Sequence, residues 1–229
     1  MDETWVRHLK ITHNDLCVTP AIKNYNTLWE NTIDLDIKRM RNNQNNLKEV
    51  LSTYCYFHPC DGYVQGMNFI ANVFIYKLSA GGAFWALTRF MGYFRTRMVC
   101  FDKDAFHDYC STWNKYFTEF TDGLSPDGEF VMALKWGLFA MTCGKDTIDD
   151  VSVLWDAMLT YPQSKWLQFS AAVASAACVR HLQKTGDVYQ SRLIIPQVRF
   201  YNPEQLVRRA KRLMCQLMIN RPSGLDMEL

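Results

Sequence analysis

The sequence predicts an all-α fold, and three observations predict it. Apolar residues recur at three- and four-residue spacing in segment after segment. The one strand-like run, Leu193–Val198, is short and broken by Pro196. With 48% apolar and 14% aromatic residues in 229 positions, and only 11 Gly and 7 Pro, the chain has the material for a large packed core. Typical helix lengths then give roughly eight to eleven helices. The length suits one large domain or two closely packed lobes, so residues 1–229 are read as a single domain.

The elements follow in order. Arg41–Asn46 is rich in Asn, whose side chains compete with the backbone, and reads as a loop. Leu47, Val50, Leu51, Tyr54 and Phe57 then form a helical stripe that His58-Pro59 stops. Met67, Ile70, Ala71 and Phe74 repeat the pattern after Gly66, and Ala83–Tyr93 places Phe84, Leu87 and Met91 on one side. Phe130–Met141 is apolar almost all round. Val151–Leu159 is preceded by Asp149 and Asp150 at the positive end of its dipole and followed by Pro162. Trp166–Leu182 is Ala-rich. Glu204–Ile219 sets Leu206, Val207, Ala210, Leu213 and Met214 against Arg208, Arg209, Lys211 and Arg212.

Charge and cysteine usage narrow the function classes. Twenty-five Lys and Arg against 23 Asp and Glu leave +2, too little to argue for nucleic acid. The eight cysteines are scattered without a C-x-x-C pair or clustered His, so no metal site is expected. The first fifteen residues lack the continuous apolar segment of a signal peptide, and runs such as Ala171–Val179 fall well short of the ~20 residues that cross a bilayer. A cytoplasmic protein with reduced thiols is expected, any membrane contact being peripheral and carried by the basic Glu204–Ile219 helix.

Two segments carry candidate chemistry. Ile33-Asp34-Leu35-Asp36-Ile37-Lys38-Arg39 places Asp36 and Arg39 three apart on one helical side, where a plain ion pair is the simplest reading. In Gly62-Tyr63-Val64-Gln65-Gly66-Met67-Asn68 two glycines flank Gln65 just before an apolar helix. Gly62 and Gly66 allow positive φ and the close approach of another backbone. Gln65 would stand where the next helix offers unpaired N–H groups, a place for an anion such as phosphate, or simply a turn with a capping Gln. His58, Cys60 and Asp61 look superficially like a nucleophile set, but they crowd one Pro-containing turn. Trp136, Trp155 and Asp156 read as core and helix-end residues.

Ile33-x-x-Asp36-x-x-Arg39 followed by Tyr63-x-Gln65-Gly66 resembles the paired signature of the TBC domain, the catalytic domain of Rab GTPase-activating proteins. The likeness extends through Leu47, Val50-Leu51 and Tyr54 into Gly62–Ala71, then Ala83-Phe84-Trp85, Lys135-Trp136-x-Leu138-Phe139 and Leu154-Trp155-Asp156. It spans residues 28–215 with the order intact. The resemblance implies a V-shaped helical domain, minimal here and lacking most of the family's N-terminal helices. Its implied partner is a GTP-bound Rab-type small GTPase, whose hydrolysis it accelerates with Arg39 and Gln65 as arginine and glutamine fingers in trans, supported by Asp36, Tyr63, Gly62 and Gly66. GTP and Mg²⁺ would belong to the partner; the chain would hold no cofactor and have no hydrolase activity of its own. A catalytically silent TBC-like scaffold is the alternative. Departures from the pattern are a shorter linker after Arg39 and Met40-Arg41 where a Thr-aromatic pair is usual.

Overall fold

The computed structural model describes residues 2–40, 43–64, 66–97, 148–166, 169, 170, 172, 173, 176 and 202–219. Among these it shows eight α-helices, one 3-10 turn at Gln163–Lys165 and no strand. The helices are α1 Glu3–His8, α2 His13–Cys17, α3 Glu30–Ile37, α4 Gln44–Phe57, α5 Met67–Lys77, α6 Ala80–Arg97, α7 Ile148–Leu159 and α8 Pro203–Ile219. The chain divides into two compact units, Met1–Tyr93 and Phe94–Leu229. The expected helix Phe130–Met141, its Trp136 and the weak strand Leu193–Val198 lie outside the described residues.

In the first unit α4 packs against α3 and α5. Leu47, Val50, Leu51 and Tyr54 are buried, as the stripe predicts, together with Ile33, Ile70, Ala71 and Phe74. Trp5 meets Phe74 edge-on at 6.2 Å, and Phe74 meets Phe90 at 5.7 Å, which ties α1, α5 and α6 into one core. In the second unit α8 packs on α7. Val151, Leu154, Trp155 and Met158 face inward there, as do Leu206, Val207, Ala210, Leu213 and Met214, while Arg208, Lys211 and Arg212 stay exposed. Asp156 is exposed on α7. Trp166, Phe169, Ala172, Val173 and Ala176 are helical and buried, in keeping with the Ala-rich segment.

Several boundaries differ from the sequence reading. Helix α4 begins at Gln44 rather than Leu47, because Asn43 takes the left-handed conformation at φ 60 that Asn tolerates and turns the chain into the helix. Gln44 Nε2 also donates to the Met40 carbonyl at 2.7 Å. Helix α6 begins three residues before Ala83: Ser79 Oγ accepts from the Gly82 amide at 3.2 Å, an N-cap that outweighs the poor propensity of Gly81 and Gly82. Helix α7 takes Asp149 and Asp150 into its first turn, where they still face the positive dipole end.

The first seventeen residues form two short helices that apolar periodicity did not show. Their signals are caps. Asp2 Oδ1 accepts from the Thr4 and Trp5 amides, and Thr12 and Asp15 form a reciprocal capping box. Asp15 also accepts two 2.9 Å bonds from Arg89 Nη2, fastening α2 to α6. Burial works to raise its pKa, but the Thr12 amide, Arg89 and the Thr12 hydroxyl outweigh burial and hold it below the ordinary carboxylate value. That stabilisation is therefore complete above the unfolded-state pKa and fades as pH falls through the lower folded one. Asp15→Ala is expected to cost about 2 kcal/mol at neutral pH, from the lost cap and the lost charge-assisted bonds. The wild-type minus mutant difference in urea unfolding should shrink toward acidic pH, and an unchanged midpoint at neutral pH would contradict the assignment.

Candidate functional site

The site is built on Asp36. Its register in α3 turns it inward beside Ile33 and Ile37, which belong to the core. A buried carboxylate needs partners, and Asp36 has them. Tyr63 Oη donates to Oδ2 at 2.9 Å, Arg39 Nη1 donates to Oδ1 at 3.2 Å, and Asn68 Nδ2 reaches its main-chain carbonyl at 3.4 Å. Burial first, and the hydrogen bond to Asp36 second, push the Tyr63 pKa well above the ordinary value, so the phenol is a fixed neutral donor. The two sequence segments thus meet: one carboxylate bridges the end of α3 to the start of α5.

Arg39 lies just past the end of α3, where its amide bonds back to the Asp36 carbonyl at 3.3 Å. This tightened turn stacks residue 39 over residue 36, which explains the ion pair. Its side chain remains 66% exposed while that of Asp36 is only 9% exposed. An exposed pair of this kind contributes little to stability. What it does is restrain one edge of the guanidinium on a buried anchor and leave the rest of the donor fork facing outward.

Gly62 and Gly66 both take positive φ, at 62° and 101°. At Gly62 the close neighbour is the Trp29 indole rather than another backbone: a Cβ there would lie 2.6 Å from the ring. Gly66 is buried and is the N-cap residue of α5. Gln65 lies outside the described residues. At the start of α5, read from the sequence as an anion site or a plain turn, two of the amides are already bonded. The Met67 and Phe69 amides bond to the Val64 and Gly66 carbonyls at 3.0 and 3.1 Å. Gly62→Ala is expected to cost about 1–2 kcal/mol through the left-handed backbone alone, with the indole displaced in addition. Thermal unfolding checks this, and an unshifted midpoint would show that the turn relaxes freely.

The motifs are not brought together by a loop over Arg41–Asn46, since α4 already begins at Gln44. Six residues, Lys38–Asn43, connect α3 to α4, four of them after Arg39, and α4 at 14 residues is about 21 Å long. The motifs meet instead because α3 lies against α4 and the turn after α4 reverses the chain, the Asp61 and Gly62 amides both bonding to the His58 carbonyl. Lys48 on α4 pins α3 through Asp34 at 2.8 Å and Glu30 at 3.6 Å. The hydrogen bond to Asp34, ahead of desolvation, leaves its pKa raised. Trp29, Lys48 and Asn68 are the residues that sequence reading missed as positioning groups. Spacing gives no sign of them, because their partners are 14 to 33 positions away.

The remaining candidates are structural. His58 stacks on Tyr54 and its Nε2 lies 3.4 Å from Thr88 Oγ1, while Asp61 accepts from Tyr54 Oη at 2.9 Å. Cys60 is exposed and free. Among the described residues no three His, Cys, Asp or Glu side chains group as metal ligands, and no helix is long and apolar enough to cross a membrane.

The fold and the cluster around Asp36 define an all-helical domain that presents an arginine from a helix end, anchored on a buried carboxylate. The Rab-GTPase-TBC domain profile matches residues 11–177, and the chain belongs to that family. The fold is also similar to the crystal structure of the Ypt/Rab-GAP domain of Gyp1p, with a TM-score of 0.61 and 16% identity over 94% of this chain and 81% of that one. No curated protein sequence matches.

Proposed function

We propose that this chain accelerates GTP hydrolysis by a Rab-type small GTPase in its GTP-bound state, supplying Arg39 and Gln65 in trans, and so acts in vesicle traffic at cytoplasmic membrane surfaces. The observation that carries the reading is Arg39, exposed at its tip yet tethered to Asp36, which Tyr63 holds from the second motif. A guanidinium so placed can neutralise charge that develops on the transferred phosphoryl group, with little reorganisation at the moment of reaction. Gln65, next to the anchored Tyr63 and the left-handed Gly66, would orient the attacking water. GTP and Mg²⁺ belong to the partner, and the chain supplies only positioned side chains. Asp36, Tyr63, Gly62 and Gly66 support the two fingers.

The short connection between α3 and α4, six residues with only four after Arg39, favours a second reading, a silent scaffold that binds a GTPase without accelerating it. A panel of GTP-loaded Rab proteins, scored separately for binding and for hydrolysis with and without the chain, tells the two apart. Acceleration of at least one Rab supports the catalytic reading, and binding without acceleration across the panel favours the scaffold.

A further inference from the structure

We propose that the outward side of α3 and the turn that ends it, from Asn31 past Leu35 to Lys38 and Arg39, is the surface on which a GTP-loaded small GTPase seats, with Leu35 as the apolar anchor. This rests on the function proposed above and names where that partner makes contact. Ile33, Asp36 and Ile37 face the core, whereas Asn31, Thr32, Leu35, Lys38 and Arg39 are exposed. Residues three and four apart share a side of a helix, so these positions form one stripe, and Leu28 lies in the turn that precedes the helix. Leu28 is fully exposed and Leu35 is 59% exposed.

This side ends in two cations, and the three acidic residues of α3 are all paired. Glu30 and Asp34 are drawn to Lys48, and Asp36 is turned in to Tyr63. What remains outward is two leucines, an amide, a hydroxyl and, at one end, two cations. That combination fits a surface with a phosphate-bearing cleft and an apolar rim, and the part-exposed Glu30 and Asp34 carboxylates beside it are held by Lys48.

A single exposed leucine needs no explanation by itself. Leu35 differs through its place, one helical turn and about 6 Å from Arg39. A partner that receives the Arg39 guanidinium at its nucleotide covers side chains within that distance, and an apolar group so covered is removed from water. Leu35 thus strengthens the encounter without touching the reacting atoms.

The test is single-turnover hydrolysis on a responsive GTP-loaded Rab, titrated with wild type, Leu35→Asp, Leu35→Ala and Arg39→Ala, with circular dichroism and thermal unfolding confirming the fold. Leu35→Asp is expected to raise the half-saturating concentration at least about tenfold, with the plateau rate within about twofold of wild type. Leu35→Ala should do the same to a smaller degree. Arg39→Ala should lower the plateau instead. An unchanged half-saturating concentration in Leu35→Asp, with Arg39→Ala defective, overturns this surface and leaves the finger standing. Should Leu35→Asp only dissociate a wild-type dimer in sedimentation, the occupant is a second copy of the chain and the proposal falls. Failure of wild type to accelerate any Rab overturns both the surface and the function it rests on.

Discussion

Arg39→Ala and Arg39→Lys are each expected to lower the accelerated hydrolysis rate by two or more powers of ten, roughly 3 kcal/mol or more of barrier. The group that acts must meet charge present only in the transition state, and arginine fingers contribute roughly 10³–10⁵ in rate through that difference. Lysine keeps the charge but presents a point, whereas the guanidinium spans two oxygens. Here it would also lose the angle set by the 3.2 Å bond to Asp36. Binding to the GTP-loaded partner should survive Arg39→Ala, because an exposed cation adds little before charge develops. Arg41, outside the described residues, is the control: Arg41→Ala should cost far less. A severe defect in Arg41→Ala beside a mild one in Arg39→Ala would shift the finger two positions along the chain.

Gln65→Ala is expected to remove most of the acceleration, on the order of 10²-fold, with the fold intact. Removing a water-positioning amide leaves the phosphoryl charge stabilised but the nucleophile unoriented, so the loss belongs in the plateau rate. The flanking residues make this specific. Tyr63, two positions before it, donates to Asp36 at 2.9 Å, and Gly66, directly after it, turns the chain at φ 101. Wild-type acceleration in Gln65→Ala, measured by phosphate release on a responsive Rab, would mean that the GTPase orients its own water. A rise in half-saturating concentration at constant plateau would make Gln65 a binding residue instead.

The helices with a full apolar stripe were legible because periodicity encodes burial directly: Leu47, Val50, Leu51 and Tyr54 are all in the core, and Leu206, Val207 and Ala210 face inward on α8. Helix starts were less legible. Ser79 and Thr12 set them through hydrogen bonds, and Asn43 through its left-handed backbone, none of which alters the apolar pattern. The two motifs were visible as local strings, and the Asp36–Arg39 pair follows from their spacing. The bridge from Asp36 to Tyr63 was not readable from spacing, since it joins residues 27 apart and depends on how α3 lies on α4. The start of α5 read equally as an anion site or a plain turn, and the bonds of the Met67 and Phe69 amides to the Val64 and Gly66 carbonyls are those of a turn.

The most direct test is single-turnover phosphate release from GTP-loaded Rab proteins at saturating concentrations of wild type and of Arg39→Ala. At least one Rab should hydrolyse its GTP about 10²-fold faster or more with wild type, and the rate should return close to the intrinsic one with Arg39→Ala while the complex still forms. Equal acceleration by wild type and Arg39→Ala would contradict the account.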